Sequence, residues 1–133
     1  MIHRELQRLE AQGRPIRVGA SVAGWMGSGF VAAMAHAPGM VVNALASANV
    51  AEARAAFVAA GVAPEAIVEA SAPGPAMDAL RASKRIVAAD VTLLAQLDAV
   101  DIVTDATWSP AVGAEAAHAA IRGGKDVVLV NIE

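Results

Sequence analysis

A glycine-rich segment near the amino terminus carries the first residues whose types and spacing suggest chemistry. The segment Ala23-Gly24-Trp25-Met26-Gly27-Ser28-Gly29 directly follows the apolar run 16–21. Glycine allows a backbone to approach a phosphate closely, and the free N–H groups at a helix start attract anions. A glycine turn between a strand and a helix therefore indicates a pyrophosphate site of the dinucleotide-binding type. The residues predicted to contact the pyrophosphate are Ala23, Gly24, Trp25, Met26 and Gly27.

Two further positions bear on which dinucleotide such a site would take. In a site for NAD, an acidic residue about 20 residues past the glycines binds the ribose 2′-hydroxyl. Ser47 occupies this position at the end of the second apolar run. Serine there disfavours NAD relative to NADP, so the sequence predicts a preference for NADPH. Arg54 is the nearest base that could meet a 2′-phosphate, and the alternative is an ordinary exposed helix arginine.

The opposite end of the predicted cleft follows the run 101–106. We expect Thr107 and Trp108 to lie near the nicotinamide. Asp105 either binds a ribose or substrate hydroxyl or caps the following turn. The sequence contains no cysteine and no cluster of metal-ligating residues, so we predict no metal site. No residue of the chain is assigned a catalytic role.

The elements that must position these residues alternate along the chain. Apolar runs bounded by glycine and proline predict strands, and Ala-rich stretches with capping residues predict helices. Continuous apolar strands that alternate with helices indicate an α/β fold of the Rossmann type, a doubly wound parallel sheet in three layers. We predict an N-terminal amphipathic helix within 1–14 and a dinucleotide-binding domain over 15–133. The predicted strands are 16–21, 40–46, 66–69, 86–88, 101–106 and 127–130, and the predicted helices are 2–12, the stretch from the glycine turn to Pro38, 52–60, 76–85, 90–97 and 110–122.

Composition excludes several classes of protein. The chain has 133 residues, of which 56% are hydrophobic, which is enough for one domain with one core. The net charge is −3 and the 10 Lys and Arg residues are scattered, so nucleic acid is not an expected partner. No apolar run reaches the roughly 18 residues that a membrane span requires. Without cysteine or a recognisable signal segment, a cytoplasmic protein is expected.

Four stretches of the sequence together resemble a known family. They are Ile16-Arg17-Val18-Gly19, the glycine segment extended to Phe30, the run 101–107, and Asn131-Ile132-Glu133. They resemble the homoserine-dehydrogenase-like oxidoreductases with a C-terminal SAF domain, a group that includes the 1-deoxy-xylulose-5-phosphate reductoisomerase-like proteins. The resemblance implies binding of NADPH and reduction of a carbonyl substrate. It also implies that the substrate and catalytic region follows Asn131-Ile132-Glu133 and is absent from this chain.

Three positions depart from the pattern and leave two hypotheses open. Val22 stands where the fingerprint has its first glycine, Ser47 replaces the acidic residue, and Trp108 stands where the resemblance leads us to expect glycine. In the first hypothesis, an adjusted loop still binds NADPH, and Trp25 and Trp108 wall the cleft. In the second, the site is filled and the domain is a scaffold or a self-assembly module. Such a module would form a homo-oligomer through its apolar cleft or its helices.

Overall fold

Strands and helices alternate throughout residues 1–130, which are the residues that this computed structural model describes; Asn131-Ile132-Glu133 lies outside them. The strands are β1 (Ile16–Val22), β2 (Met40–Ala46), β3 (Ile67–Glu69), β4 (Arg85–Ala88), β5 (Ile102–Ala106) and β6 (Asp126–Leu129). The helices are α1 (Ile2–Ala11), α2 (Gly24–Ala35), α3 (Val50–Ala59), α4 (Pro73–Arg81) and α5 (Pro110–Arg122).

The six strands form one parallel sheet in the order β3-β4-β2-β1-β5-β6. The chain leaves β1 toward β2 on one side, and β5 later pairs with β1 on its other side. The strand order therefore reverses at β1, and ligands of doubly wound sheets bind beyond the carboxyl ends of the strands at such a reversal. This topology confirms the predicted Rossmann-type fold.

Two clusters of buried side chains form the core. One gathers Leu94, Leu97 and Val103 with neighbours from α4 and α5, and the other gathers Val31 and Phe57 with neighbours from α2, α3 and the central strands. Strands that are covered on both sides carry apolar residues at successive positions, and β1 is buried without interruption from Val18 to Val22. The helices therefore cover the sheet on both sides, which gives three layers.

The segment after β4 differs from its prediction. An α-helix was expected over 90–97, but residues Val91–Gln96 form a 3₁₀ helix. The predicted cap is present, because the Asp90 side chain accepts a hydrogen bond from the Thr92 N–H at 2.9 Å. A helix this short depends on tertiary packing, and most of this segment is buried in the core, so its contacts there decide its form. The helix α4 also differs slightly from its prediction, because it begins at Pro73, three residues before the predicted start at Ala76.

The helix α1 follows its prediction closely, over Ile2–Ala11. Leu6 and Leu9 of its apolar stripe are half-buried, and none of its residues is fully buried. The division into an N-terminal helix within 1–14 and a domain over 15–133 stays a prediction. Within residues 1–130, no helix has both the length and the apolar character needed to cross a membrane.

Candidate functional site

A cleft of about 380 Å³ opens at the carboxyl ends of the central strands. Its walls come from the turn after β1, the loop and first turn of α3 after β2, the loop after β4, and the start of α5 after β5. The reversal of strand order lies directly beneath it. The lining residues are Ser21, Val22, Ala23, Ala46, Ser47, Ala48, Asn49, Glu52, Ala89, Asp90, Val91, Thr107, Trp108, Ser109, Val112 and Glu115.

The turn between β1 and α2 is built on Gly24. This residue has φ +64°, a left-handed conformation that glycine adopts without steric cost. Val22, two residues earlier, keeps its place as the last residue of β1 and is buried. Val22 is a departure from the sequence pattern, and a β-branched residue at the place of the first glycine would hinder a tight turn. The structure removes this objection, because the left-handed residue is Gly24 and Val22 needs only strand geometry.

Gly27 allows α2 to lie close against β1. A Cβ atom added at Gly27 would lie 2.9 Å from the Val22 Cβ, closer than two such atoms tolerate. The glycine therefore lets the helix start at the end of the strand with its axis directed toward the cleft. This is the packing role that a glycine of the fingerprint has in dinucleotide sites.

The amino end of α2 has no side-chain cap. Ala23 precedes the helix and its side chain cannot accept a hydrogen bond. The first N–H groups of a helix have no partner within it, and they carry part of the positive end of the helix dipole. The Gly24 N–H donates a long hydrogen bond of 3.4 Å to the Glu52 carboxylate. The residues at this helix start thus fit the requirements of a pyrophosphate, which supplies acceptor oxygens to such groups.

The two tryptophans lie in different places. Trp108 lines the cleft, and its ring covers Gly24 so closely that a Cβ on Gly24 would lie 2.9 Å from the ring. Trp25 is 83% exposed and is not among the lining residues. The prediction that both rings wall the cleft therefore needs correction, since the first turn of α2 directs Trp25 outward. Met26 is also exposed and outside the cleft.

Arg54 does not reach the cleft. Its guanidinium donates hydrogen bonds to the carbonyl oxygens of Ile67, at 3.2 Å, and Pro64, at 3.5 Å. Arg54 thus connects α3 to the start of β3 on the far side of the helix. The sequence proposal of a contact with a 2′-phosphate finds no support in this position. Ser47 and Thr107, by contrast, both line the cleft where the sequence expected them.

The charges that line the cleft all have one sign. Glu52, Asp90 and Glu115 contribute carboxylates, and no Lys, Arg or His is among the lining residues that the structure describes. Sequence reasoning missed Glu52 and Asn49, although both are part of a recognisable pattern. Asn49 caps α3 and Glu52 follows three residues later, which is the spacing of a helix start, and a helix that starts after β2 must begin at this edge of the sheet.

A buried carboxyl group lies below the cleft. Asp105 is 1% exposed, and its Oδ1 accepts hydrogen bonds from the Ser21 hydroxyl at 2.5 Å and the Thr107 hydroxyl at 2.9 Å. Its Oδ2 is buried and receives no hydrogen bond. The bond from Thr107 comes from its side-chain hydroxyl, so both alternatives for Asp105, a ligand contact and a cap of the following turn, stay predictions. Because both hydroxyls give their only proton to Asp105, their free lone pairs make them acceptors toward any ligand in the cleft.

The fold and the cleft together define a Rossmann-like α/β domain with a glycine turn and a helix start without a side-chain cap after its first strand. No group of three or more potential metal ligands occurs among residues 1–130. Comparison with solved structures finds the same Rossmann-like architecture in other proteins. No protein-family model matches the sequence, and no curated protein does either.

The solved structures that share the fold include the three described here. Scyllo-inositol dehydrogenase from Lactobacillus casei, solved with NAD(H) and scyllo-inositol, aligns over 90% of this chain and 29% of its own, with a TM-score of 0.64 and 17% identity. A protein of Magnetospirillum magnetotacticum assigned as an oxidoreductase covers 86% of this chain and 29% of its own, with a TM-score of 0.58 and 26% identity. An NAD-binding oxidoreductase from Klebsiella pneumoniae covers 86% and 27%, with a TM-score of 0.56 and 22% identity. The chain thus spans less than a third of each of these proteins.

Proposed function

We propose that this chain is the dinucleotide-binding domain of an oxidoreductase that transfers hydride between a nicotinamide ring and a carbonyl substrate. One observation carries the proposal: an uncapped helix start follows a left-handed glycine at the point where the strand order reverses. The solved structures that share the fold include proteins named as NAD-binding oxidoreductases, which supports the same class.

The candidate site divides into three regions in this proposal. The N–H groups of 24–27, at the helix start beside the cleft, bind the pyrophosphate, and Ala23, which lines the cleft, begins the turn. Ser47 and Asn49, at the end of β2, lie where the adenosine ribose belongs. Thr107 and Trp108 lie on the β5 side, next to the nicotinamide. The acceptor oxygens of Ser21 and Thr107 suit the amide N–H₂ group of a nicotinamide or a ribose hydroxyl.

The cofactor supplies the hydride chemistry, while this chain binds and orients it. We assign no acid or base for the substrate to the chain, and we propose that catalysis requires residues outside it. Reduction of a carbonyl group and membership of the homoserine-dehydrogenase-like group stay predictions from the resemblance. The preference for NADPH that the sequence suggested rested on Ser47 and Arg54. Arg54 is engaged elsewhere, and the charged residues described in the cleft are all acidic, so this preference is not part of the proposal.

A second candidate function rests on Trp108. Its ring lies against Gly24, the residue on which the anion turn is built, and 69% of its surface is exposed. If the Trp108 ring excludes a ligand from the turn, the domain is a scaffold that associates through its apolar cleft. This alternative predicts no affinity for a dinucleotide and a mass that rises with protein concentration.

Titration with NADH and NADPH separates the two functions. Calorimetry should give saturable binding, and the tryptophan fluorescence should be quenched in parallel. Because Trp25 lies outside the cleft, Trp25→Phe should keep the quenching, whereas Trp108→Phe should lose most of it and still release heat on binding. If neither dinucleotide binds at about millimolar concentration, the dissociation constant exceeds what a working cofactor site requires and the proposal is overturned.

A further inference from the structure

Glu52 has a position that the dinucleotide proposal does not yet explain. It lies in the first turn of α3, is exposed, lines the cleft, and accepts a hydrogen bond from the Gly24 N–H. That N–H group belongs to the turn where a pyrophosphate would bind. The Glu52 carboxylate is therefore an anion that occupies the same N–H group as the pyrophosphate would.

The local structure leaves Glu52 free to reach across the cleft. A glutamate three residues after a helix cap commonly bonds back to the backbone N–H of the cap. Here the Asn49 N–H donates instead to the Ser47 hydroxyl at 3.2 Å, and the Asn49 side chain caps the Ala51 N–H. The usual partner of Glu52 is therefore already taken, and the carboxylate turns toward Gly24 on the other wall.

Among the described residues that line the cleft around Glu52, none carries an opposite charge. The described lining of the cleft adds only the acidic residues Asp90 and Glu115. Arg54, the base nearest in sequence, donates to main-chain carbonyl oxygens near β3. A 2′-phosphate adds about two negative charges to a ligand and needs a cation to balance them, whereas a ribose hydroxyl needs only an acceptor.

We propose, building on the proposed function, that Glu52 is the specificity-determining residue that makes the cleft select NAD(H) over NADP(H). Its carboxylate accepts a hydrogen bond from a hydroxyl of the adenosine ribose and repels a 2′-phosphate at the same position. Glu52 thereby supplies the acceptor for the ribose hydroxyl that an acidic residue at position 47 would supply in a site for NAD. The hydrogen bond to Gly24 breaks when the dinucleotide binds, and the pyrophosphate takes over that N–H group.

The test compares the affinities of two cofactors in matched variants. For the unmodified protein we expect calorimetry to give tighter binding of NADH than of NADPH. Glu52→Gln keeps the size of the side chain and removes its charge, so the ratio of the two dissociation constants should shift toward NADPH by about tenfold. Glu65→Gln removes an exposed charge outside the cleft and should leave the ratio within about twofold. Glu52→Ser is a second, smaller variant with the same expected shift.

Fragments of the two cofactors test whether Glu52 acts at the adenosine end of the dinucleotide. Adenosine 2′,5′-bisphosphate and AMP differ in the 2′-phosphate and lack the nicotinamide, so Glu52→Gln should improve binding of the bisphosphate and hardly affect AMP. If both dinucleotides bind and Glu52→Gln leaves their ratio unchanged, or if the unmodified protein prefers NADPH, the inference is overturned and the dinucleotide-binding function stands. If no variant binds either dinucleotide, the proposed function fails and the inference fails with it.

Discussion

The two ends of the β1–β5 strand pair hold aspartates in opposite circumstances. At the amino end, Asp101 just before β5 accepts hydrogen bonds from the Arg17 guanidinium at 2.7 and 3.0 Å and from the Arg17 N–H at 2.9 Å. At the carboxyl end, Asp105 accepts from two hydroxyl groups, and its second oxygen has no donor. Both carboxylate oxygens of the aspartate just before β5 have hydrogen-bond donors, whereas the aspartate near the end of β5 has donors for only one of its oxygens.

This difference separates a structural site from a candidate binding site. The hydrogen bond from Arg17 lowers the pKa of Asp101, and the same bond raises the pKa of Arg17. The pair thus satisfies itself and needs no ligand. The carboxyl end contains a buried acceptor without a donor, the Oδ2 of Asp105, and such a group costs stability unless a donor engages it. A cleft for a ligand is expected where the protein leaves its own polar groups without partners.

Packing around Gly27 gives the largest predicted effect. If the carboxyl edge is held by close packing of α2 on β1, Gly27→Ala should lower the free energy of unfolding by roughly 1–3 kcal/mol, because the new Cβ would lie 2.9 Å from that of Val22. Chemical denaturation measures this value. Dinucleotide binding should weaken in parallel, since the helix start shifts with the strain.

Gly29→Ala is the matched control for this substitution. Gly29 lies in the same helix, and a Cβ added there meets no atom within 4 Å. Alanine is favoured over glycine in a helix by about 0.8–1.0 kcal/mol, so this variant should be slightly more stable than the unmodified protein. Equal stabilisation by both substitutions would contradict the role of the Val22 contact.

Asp105→Asn should have a smaller effect, in the stabilising direction. Asparagine keeps an oxygen that accepts from Ser21 and Thr107, and it replaces the oxygen that has no donor with a neutral amide group. A buried neutral group without a partner costs less than a carboxylate, so the free energy of unfolding should rise by about 1 kcal/mol. Thermal and urea unfolding measure the change. A clear loss of stability would mean that the second oxygen contributes to the fold, and the contrast between the two ends would disappear.

The sequence predicted the framework of this site better than its details. The glycine turn, β1 and the reversal of strand order follow from apolar runs and breakers, which act locally. The direction of a side chain depends on the turn of the helix that carries it. Trp25 adjoins the glycine motif in sequence but lies on the outer side of α2, and Arg54 lies on the side of α3 that faces β3.

The residues that sequence reasoning missed depend on contacts between distant segments. In the sequence, Glu52 is recognisable only as a residue of a helix start. Its carboxylate meets the Gly24 N–H because α3 approaches the turn after β1 in the folded chain. The hydrogen bond from Ser21 to Asp105 likewise follows from the pairing of β5 with β1, which brings the two residues opposite each other. Patterns of single segments predict elements, whereas charge balance in a cleft becomes visible only after the elements are assembled.

Asp101→Asn provides the smallest predicted effect and the opposite sign to Asp105→Asn. The Arg17–Asp101 pair is about two-fifths exposed, so solvent screens it and its removal should cost roughly 0.2–1 kcal/mol at neutral pH. Asparagine can still accept from the Arg17 N–H, which keeps the loss near the lower end of that range. Urea denaturation of the two proteins at neutral pH measures the difference.

The pH dependence identifies the charge as the cause. The pKa of Asp101 in the folded protein lies below its ordinary value of 3.8, so the stabilisation is complete above pH 3.8 and is lost as the pH falls through the lowered pKa. The free energies of unfolding of the two proteins should therefore differ by a constant amount at neutral and mildly acidic pH and converge only in stronger acid. A difference that persists unchanged there would assign the effect to hydrogen-bond geometry, and the amino edge would then resemble the carboxyl edge in lacking a charge-based restraint.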